Sequence, residues 1–133
     1  METWPNEVAI VFKHNPLPFH KDAPLAAQAA LAAGEQGKFW EMHDIMFQNY
    51  KALTVPDLER YAAQVGLDVT KFKADLSSNK YKAQVRADFN EGRRAGVRGT
   101  PSIYINGRKY GGGRGVRDYV KLLEAEFGLK KAK

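Results

Sequence analysis

The apolar positions of this chain form one unbroken run followed by several stretches with helical period. Val8-Ala9-Ile10-Val11-Phe12 is apolar without alternation. That pattern predicts a strand covered on both faces of a parallel sheet, flanked by layers of helix. A polar lead broken by Pro5 precedes it, and Lys13 to His20, with Pro16 and Pro18, predicts an extended loop. Asp22 then caps a helix with Pro24 in its first turn, running through the Ala- and Leu-rich Leu25 to Ala33 until Gly34 stops it. A second helix, about Gln36 to Tyr50, carries Phe39, His43, Met46, Phe47 and Tyr50 at helical spacing, with Trp40 beside them. Thr54 with Asp57 three residues on resembles a capping box. The stripe Leu58, Tyr61, Ala62 and Val65 follows before Gly66 ends the third helix. Asp68 caps a shorter piece around Phe72 and Leu76, and a longer helix from about Asn79 to Ala95 carries Tyr81, Val85 and Phe89 toward Gly96.

The densest instruction lies between Gly96 and Gly107. Gly96 ends the preceding helix in a left-handed conformation, and Gly99 frees the backbone before Thr100-Pro101. Pro101 opens a short β-branched and aromatic strand, Ser102 to Ile105. Asn106-Gly107 is the dipeptide of a type I′ turn, so Arg108-Lys109-Tyr110 should return antiparallel. The glycine run Gly111 to Gly115 lacks the Gly-Lys-Ser/Thr ending of a phosphate loop and is read as a flexible connection. A last helix places Val116, Tyr119, Val120, Leu123 and Phe127 on one face, ended by Gly128 and the tail lysines 130, 131 and 133. The predicted order is strand, helical block, hairpin, helix.

Composition narrows the chemistry more than the fold. At 133 residues, 44% hydrophobic and 27% charged, the chain suits one soluble domain. No apolar run approaches the eighteen or so residues of a membrane span, and the N-terminus has no basic-then-apolar signal pattern. With no cysteine, disulfides, thiolate metal sites and thiol nucleophiles are excluded. The net charge of +6 is scattered or gathered in the tail, which favours a solvated surface over nucleic-acid binding. His14, His20 and His43 lack metal-ligand spacing, so no metal site is expected. Ser102 has no nucleophile-elbow context. Phe39, Trp40 and Phe47 are read as core rather than as an exposed peptide groove.

The segment Gly96-Val97-Arg98-Gly99-Thr100-Pro101-Ser102-Ile103-Tyr104-Ile105-Asn106-Gly107 resembles the cis-proline segment of the DsbA-like thioredoxin-fold thiol-disulfide oxidoreductases. The resemblance extends to Val11 through His20 and to Gln36-Gly37-Lys38-Phe39-Trp40-Glu41-Met42-His43-Asp44, and so covers nearly the whole chain. It implies an α/β, thioredoxin-like fold of DsbA type in one domain over residues 1–133, with a helical insertion at about 22–95. It also implies a cis Thr100-Pro101 bond, where the residues alone favour trans. Arg98, Gly99, Thr100 and Pro101 would then bind an extended polypeptide substrate, and the family's setting is the bacterial periplasm or cell envelope. Arg98 beside the loop would depress a nearby thiol's pKa if one were supplied, although an exposed arginine is the simpler reading.

The departure is at the start. The family carries a strand and a Cys-x-x-Cys helix before the residues matching Val8 to Phe12, and Met1 to Pro5 looks like the end of that helix. The chain therefore reads as beginning inside the domain, with no catalytic residue and no cofactor of its own. Two functions stay open: a portion of a DsbA-like oxidoreductase that is redox-inactive alone, or a non-catalytic peptide-binding or self-assembling module built on the cis-proline edge. A central strand missing between Val8–Phe12 and Ser102–Ile105 would leave apolar edges, so the chain is expected to form a homo-oligomer, most simply a two-fold dimer.

Overall fold

The computed structural model describes residues 3–130, so the first two residues and the tail lysines 131 and 133 lie outside the described residues. The chain divides into two compact units, Lys13–Gly99 and the residues up to Phe12 together with those from Thr100 onward.

The first unit is a helical block organised on its alanine-rich helix. Helix α1 spans Ala23–Glu35, α2 Phe39–Gln48, α3 Val55–Gln64, α4 Val69–Ser77 and α5 Lys82–Arg94. Alanine carries the highest helix propensity and the least side-chain bulk, so α1 forms readily and lets its neighbours come close. Ala29, Ala30, Ala32 and Ala33 are buried, and α2, α3, α4 and α5 all pack against this helix. Met42, Leu58, Tyr61, Ala62, Phe72 and Leu76 complete the core around it.

The punctuation works through identifiable groups. The Asp57 carboxylate accepts from the Thr54 backbone N–H at 3.1 Å and from its hydroxyl at 2.7 Å, and so closes the start of α3. Asp68 accepts from the Lys71 N–H at 3.0 Å at the start of α4. Asp22 holds the cap position of α1, but its side chain makes no capping bond. Gly34 does not stop that helix, which continues through Glu35. A β-carbon at Gly34 would lie 3.4 Å from Phe39 Cβ, so this glycine provides room for α2, and Gly37, at φ +76°, makes the turn. Gly96 does end α5, at φ +85°, with the Val97 N–H bonded to the Gly92 carbonyl at 2.8 Å. A four-charge network ties α1 to α4: Lys71 and Lys80 share Glu35 and Asp75 at 2.8 to 3.6 Å.

The second unit holds the sheet. Strand β1, Ile103–Ile105, pairs antiparallel with β2, Arg108–Tyr110, in the register Ile103 to Tyr110 and Ile105 to Arg108. Asn106 at φ +46° and Gly107 at φ +81° form the expected two-residue turn. Helix α6 spans Val116–Phe127 and ends at left-handed Gly128. The Trp4 indole is buried and donates to the Lys130 carbonyl at 2.9 Å.

Two expectations are corrected here. Val8 to Phe12 is not a strand, and the described sheet has two strands only. Uniform apolarity reports that a run calls for burial, whereas a strand also requires a neighbour to complete its ladder. Here Ile10 and Val11 stand 56% and 76% exposed. The glycine run is not a loose connection either. Tyr110 donates its hydroxyl to the Gly113 carbonyl at 2.8 Å, and the Gly115 N–H donates to Asp118 at 3.0 Å. Side chains at Gly112 and Gly113 would collide with Tyr110 and Asp118, so the glycines here supply space. The apolar stripe of α6 is only partly covered: Tyr119, Val120 and Leu123 are half-buried, with Tyr119 5.4 Å from the Tyr110 ring, while Val116 and Phe127 are 80% and 41% exposed.

Candidate functional site

The loop singled out from the sequence leaves α5 through left-handed Gly96 and enters β1 two residues after Pro101. Arg98, Thr100 and Pro101 are exposed and Gly99 is half-buried. The Thr100–Pro101 bond is cis. β1 begins at Ile103, so Pro101 and Ser102 lead into the strand instead of opening it. The Pro101 carbonyl accepts from Arg114 Nη2 at 3.3 Å. Sequence reasoning missed Arg114 because it sits inside the glycine run, where only the fold brings a guanidinium back to the proline. The four loop residues Arg98, Gly99, Thr100 and Pro101 are exposed or half-exposed, with no thiol among them. They have no group that attacks a disulfide.

The histidines separate into distinct environments. His14 is buried, and its backbone N–H donates to Asp88 Oδ2 at 3.1 Å. Asp88, itself buried, also accepts from Gln84 at 3.1 Å and lies 3.8 Å from the Lys13 ammonium. Burial pushes the His14 imidazole below its ordinary value, against the pull of the Asp88 carboxylate and with a smaller push from His43. His43 lies 2.9 Å from an Asp44 oxygen and 4.4 Å from the Phe47 ring. His20 packs on Phe19 at 4.7 Å. Among the described residues no three His, Asp or Glu side chains form a cluster able to hold a metal.

A stability effect follows from His14. Below about pH 6.5 the unfolded chain takes up a proton that the folded chain resists. Stability should therefore fall as pH drops through 6.5 toward the depressed folded value and level off below it. Urea unfolding between pH 7.5 and 5 is expected to show that loss in the native chain and a flatter profile in His14→Gln. Equal pH profiles would remove the buried imidazole as its cause.

The aromatic residues of α2 are placed differently from the core reading. Trp40 is 45% and Phe47 63% exposed, while Phe39 is half-buried against the core. Edge-on contacts link Phe39 to Trp40 at 5.0 Å and Trp40 to His43 at 5.3 Å. Helical spacing alone does not say which side of a helix meets the core: Met42 and Met46 took that side.

The chain matches the DSBA-like thioredoxin domain over residues 1–124 and belongs to that family. It is 39% identical over 106 residues to Na(+)/H(+) antiporter NhaA 3 of Salinispora tropica, covering 79% of this chain and 16% of the antiporter. It is 36% identical over 121 residues to NhaA 1 of Salinispora arenicola and 37% identical over 120 residues to NhaA of Herminiimonas arsenicoxydans, each match covering 90% of this chain and 19% of the relative. The chain thus spans about a fifth or less of the length of the curated relatives it matches. No solved structure matches it. No helix among the described residues is long and apolar enough to cross a membrane.

Proposed function

We propose that this DsbA-like domain, 1–133 with its helical insertion, holds an extended polypeptide at Arg98, Gly99, Thr100 and Pro101 and performs no thiol-disulfide exchange by itself. The observation that carries the reading is a loop of the family's substrate-binding type, exposed at Arg98, Thr100 and Pro101, in a chain with no cysteine. Disulfide exchange begins with a thiolate, so the chemistry is lost while the backbone-binding part is retained. Arg114 supports the loop by bonding the Pro101 carbonyl. The matching antiporters are named for ion exchange, and in them the matched stretch accounts for a fifth of the length or less. In this reading the chain plays an accessory polypeptide-holding part, not the ion-translocating one. Self-association belongs to the same proposal, since apolar side chains at Ile10, Val11 and Val116 stand in water.

The test uses carboxymethylated insulin B chain, a cysteine-blocked extended probe, followed by fluorescence anisotropy. Thr100→Trp obstructs an exposed loop position and is expected to weaken binding by about tenfold, close to 1.4 kcal/mol, with an unchanged far-UV circular dichroism spectrum. Insulin reduction by the native chain should equal the buffer control. Unaltered probe binding in Thr100→Trp would overturn the loop assignment, and turnover in the reduction assay would overturn the thiol requirement.

A further inference from the structure

Helix α5 carries its charges differently from the helices before it. On α3 and α4 every cation has a carboxylate close by: Arg60 lies 2.9 Å from Asp57, Lys71 2.8 Å from Asp75 and Lys73 3.0 Å from Glu59. Helix α5 carries Lys82, Arg86, Arg93 and Arg94, all exposed, and among the described residues none of them is in an ion pair. Its two carboxylates are engaged elsewhere, Asp88 with the His14 N–H and Gln84, and Glu91 with Lys13 at 3.0 Å. Helical geometry brings Lys82, Arg86 and Arg93 within about 40° of one another around the axis. Half-buried Phe89 shares that row, with the Arg93 guanidinium 6.0 Å from its ring. Arg93 and Arg94 stand in the last turn, where cations suit the helix dipole. Lys82, at the first residue of the helix, opposes that dipole, and Lys82 and Arg86, four residues apart, repel each other. This arrangement weakens the helix by itself and gains from an anion supplied from outside.

We infer that α5 together with Arg98 is a binding row for an acidic stretch of the extended polypeptide held at the adjoining loop. This deepens the polypeptide-holding reading and rests on it. All five cations belong to one compact unit, Lys13–Gly99, and Arg98 is both the last cation in the row and the first residue of the loop. The helical rise sets Lys82 and Arg86 about 6 Å apart along the axis, and Arg86 and Arg93 about 10 Å apart. An extended peptide advances about 3.3 Å per residue, so carboxylates two and three residues apart match these intervals. Other polyanions fit less well. A protein that binds nucleic acid with a steep salt dependence contacts about 6–10 phosphates, more than this row can meet. A helix that lies on a membrane sets large apolar side chains beside its cations, whereas the exposed positions between the cations of α5 are Ala83, Gln84, Ala87 and Asn90.

The test uses two fluorescein-labelled synthetic peptides that share one alternating Ser-Val stretch and differ only in a flanking block, glutamates in one and glutamines in the other. By fluorescence anisotropy at about 0.1 M salt the native chain is expected to bind the glutamate peptide on the order of tenfold more tightly, and that preference should shrink toward about 1 M salt. Arg86→Glu with Arg93→Glu, both at exposed positions, should abolish the preference while binding of the glutamine peptide and the circular dichroism spectrum stay unchanged. Thr100→Trp should weaken both peptides. Equal affinity of the native chain for the two peptides, or a preference that survives the double variant, would overturn the α5 row and leave the loop reading standing. A glutamine peptide that does not bind, or binds equally well in Thr100→Trp, would overturn the loop reading. Tighter binding of a single-stranded oligonucleotide or of phosphatidylserine vesicles than of the glutamate peptide, lost in the double variant, would overturn the choice of a polypeptide as occupant.

Discussion

Phe72→Ala is expected to destabilise the chain by about 3–5 kcal/mol, a large share of the roughly 5–15 kcal/mol that holds an ordinary domain. Phe72 is fully buried on α4, a helix that packs on α1 and α3. Helix α4 packs on α1, whose buried side chains are mostly alanine methyl groups, too short to reach across the void that the ring would leave. Phe72→Leu keeps most of the volume and should cost less than about 1.5 kcal/mol. Urea unfolding of the two variants gives the comparison. A loss below about 1 kcal/mol in Phe72→Ala would mean that α4 is not packed as described.

The second large effect is expected at Asp88. Its carboxylate receives the His14 backbone N–H at 3.1 Å and the Gln84 side chain at 3.1 Å, with Lys13 at 3.8 Å, inside a residue 5% exposed. Asp88→Ala removes the acceptor for a buried backbone donor and a charge-assisted partner together, and should cost about 1–3 kcal/mol. The Lys13 contribution is small because that side chain is half in water. Asp88→Asn keeps one acceptor oxygen and is expected to recover part of the loss. Thermal unfolding in which Asp88→Ala equals the native chain would show that the loop from Lys13 is held by other groups.

Asp88 also marks where reading the chain stops. It lies on α5, seventy-four residues from its partner His14, and its sequence neighbours give no sign that it is the anchor of the loop. A charged residue on a helix is ordinarily solvated. Only the meeting of α5 with the residues after Phe12 makes this one structural. Arg114 is the same case, a cation within a glycine run that returns to the Pro101 carbonyl across thirteen residues.

The features that were legible are those whose physics is local. Thr54 and Asp57 close a helix start because three residues bring the carboxylate to the N–H. Asn106 and Gly107 fold the chain back because both tolerate positive φ. Gly96 and Gly128 end helices for the same reason. Family membership was legible as well, because it resides in contiguous motifs such as Gly99-Thr100-Pro101 and Gln36-Gly37-Lys38-Phe39-Trp40.

What the sequence by itself determined, then, is the set of helices, the hairpin, the family and the absence of a thiol. The tertiary structure decided which apolar faces are covered. Ile10 with Val11, Trp40 with Phe47, and Val116 at the start of α6 are as apolar as the buried positions of α3 and α4, yet they stand largely exposed. Apolarity gives each face the same tendency toward burial, but covering it requires another element at the right distance and angle. That depends on which elements meet, and no run of residues states its own neighbour.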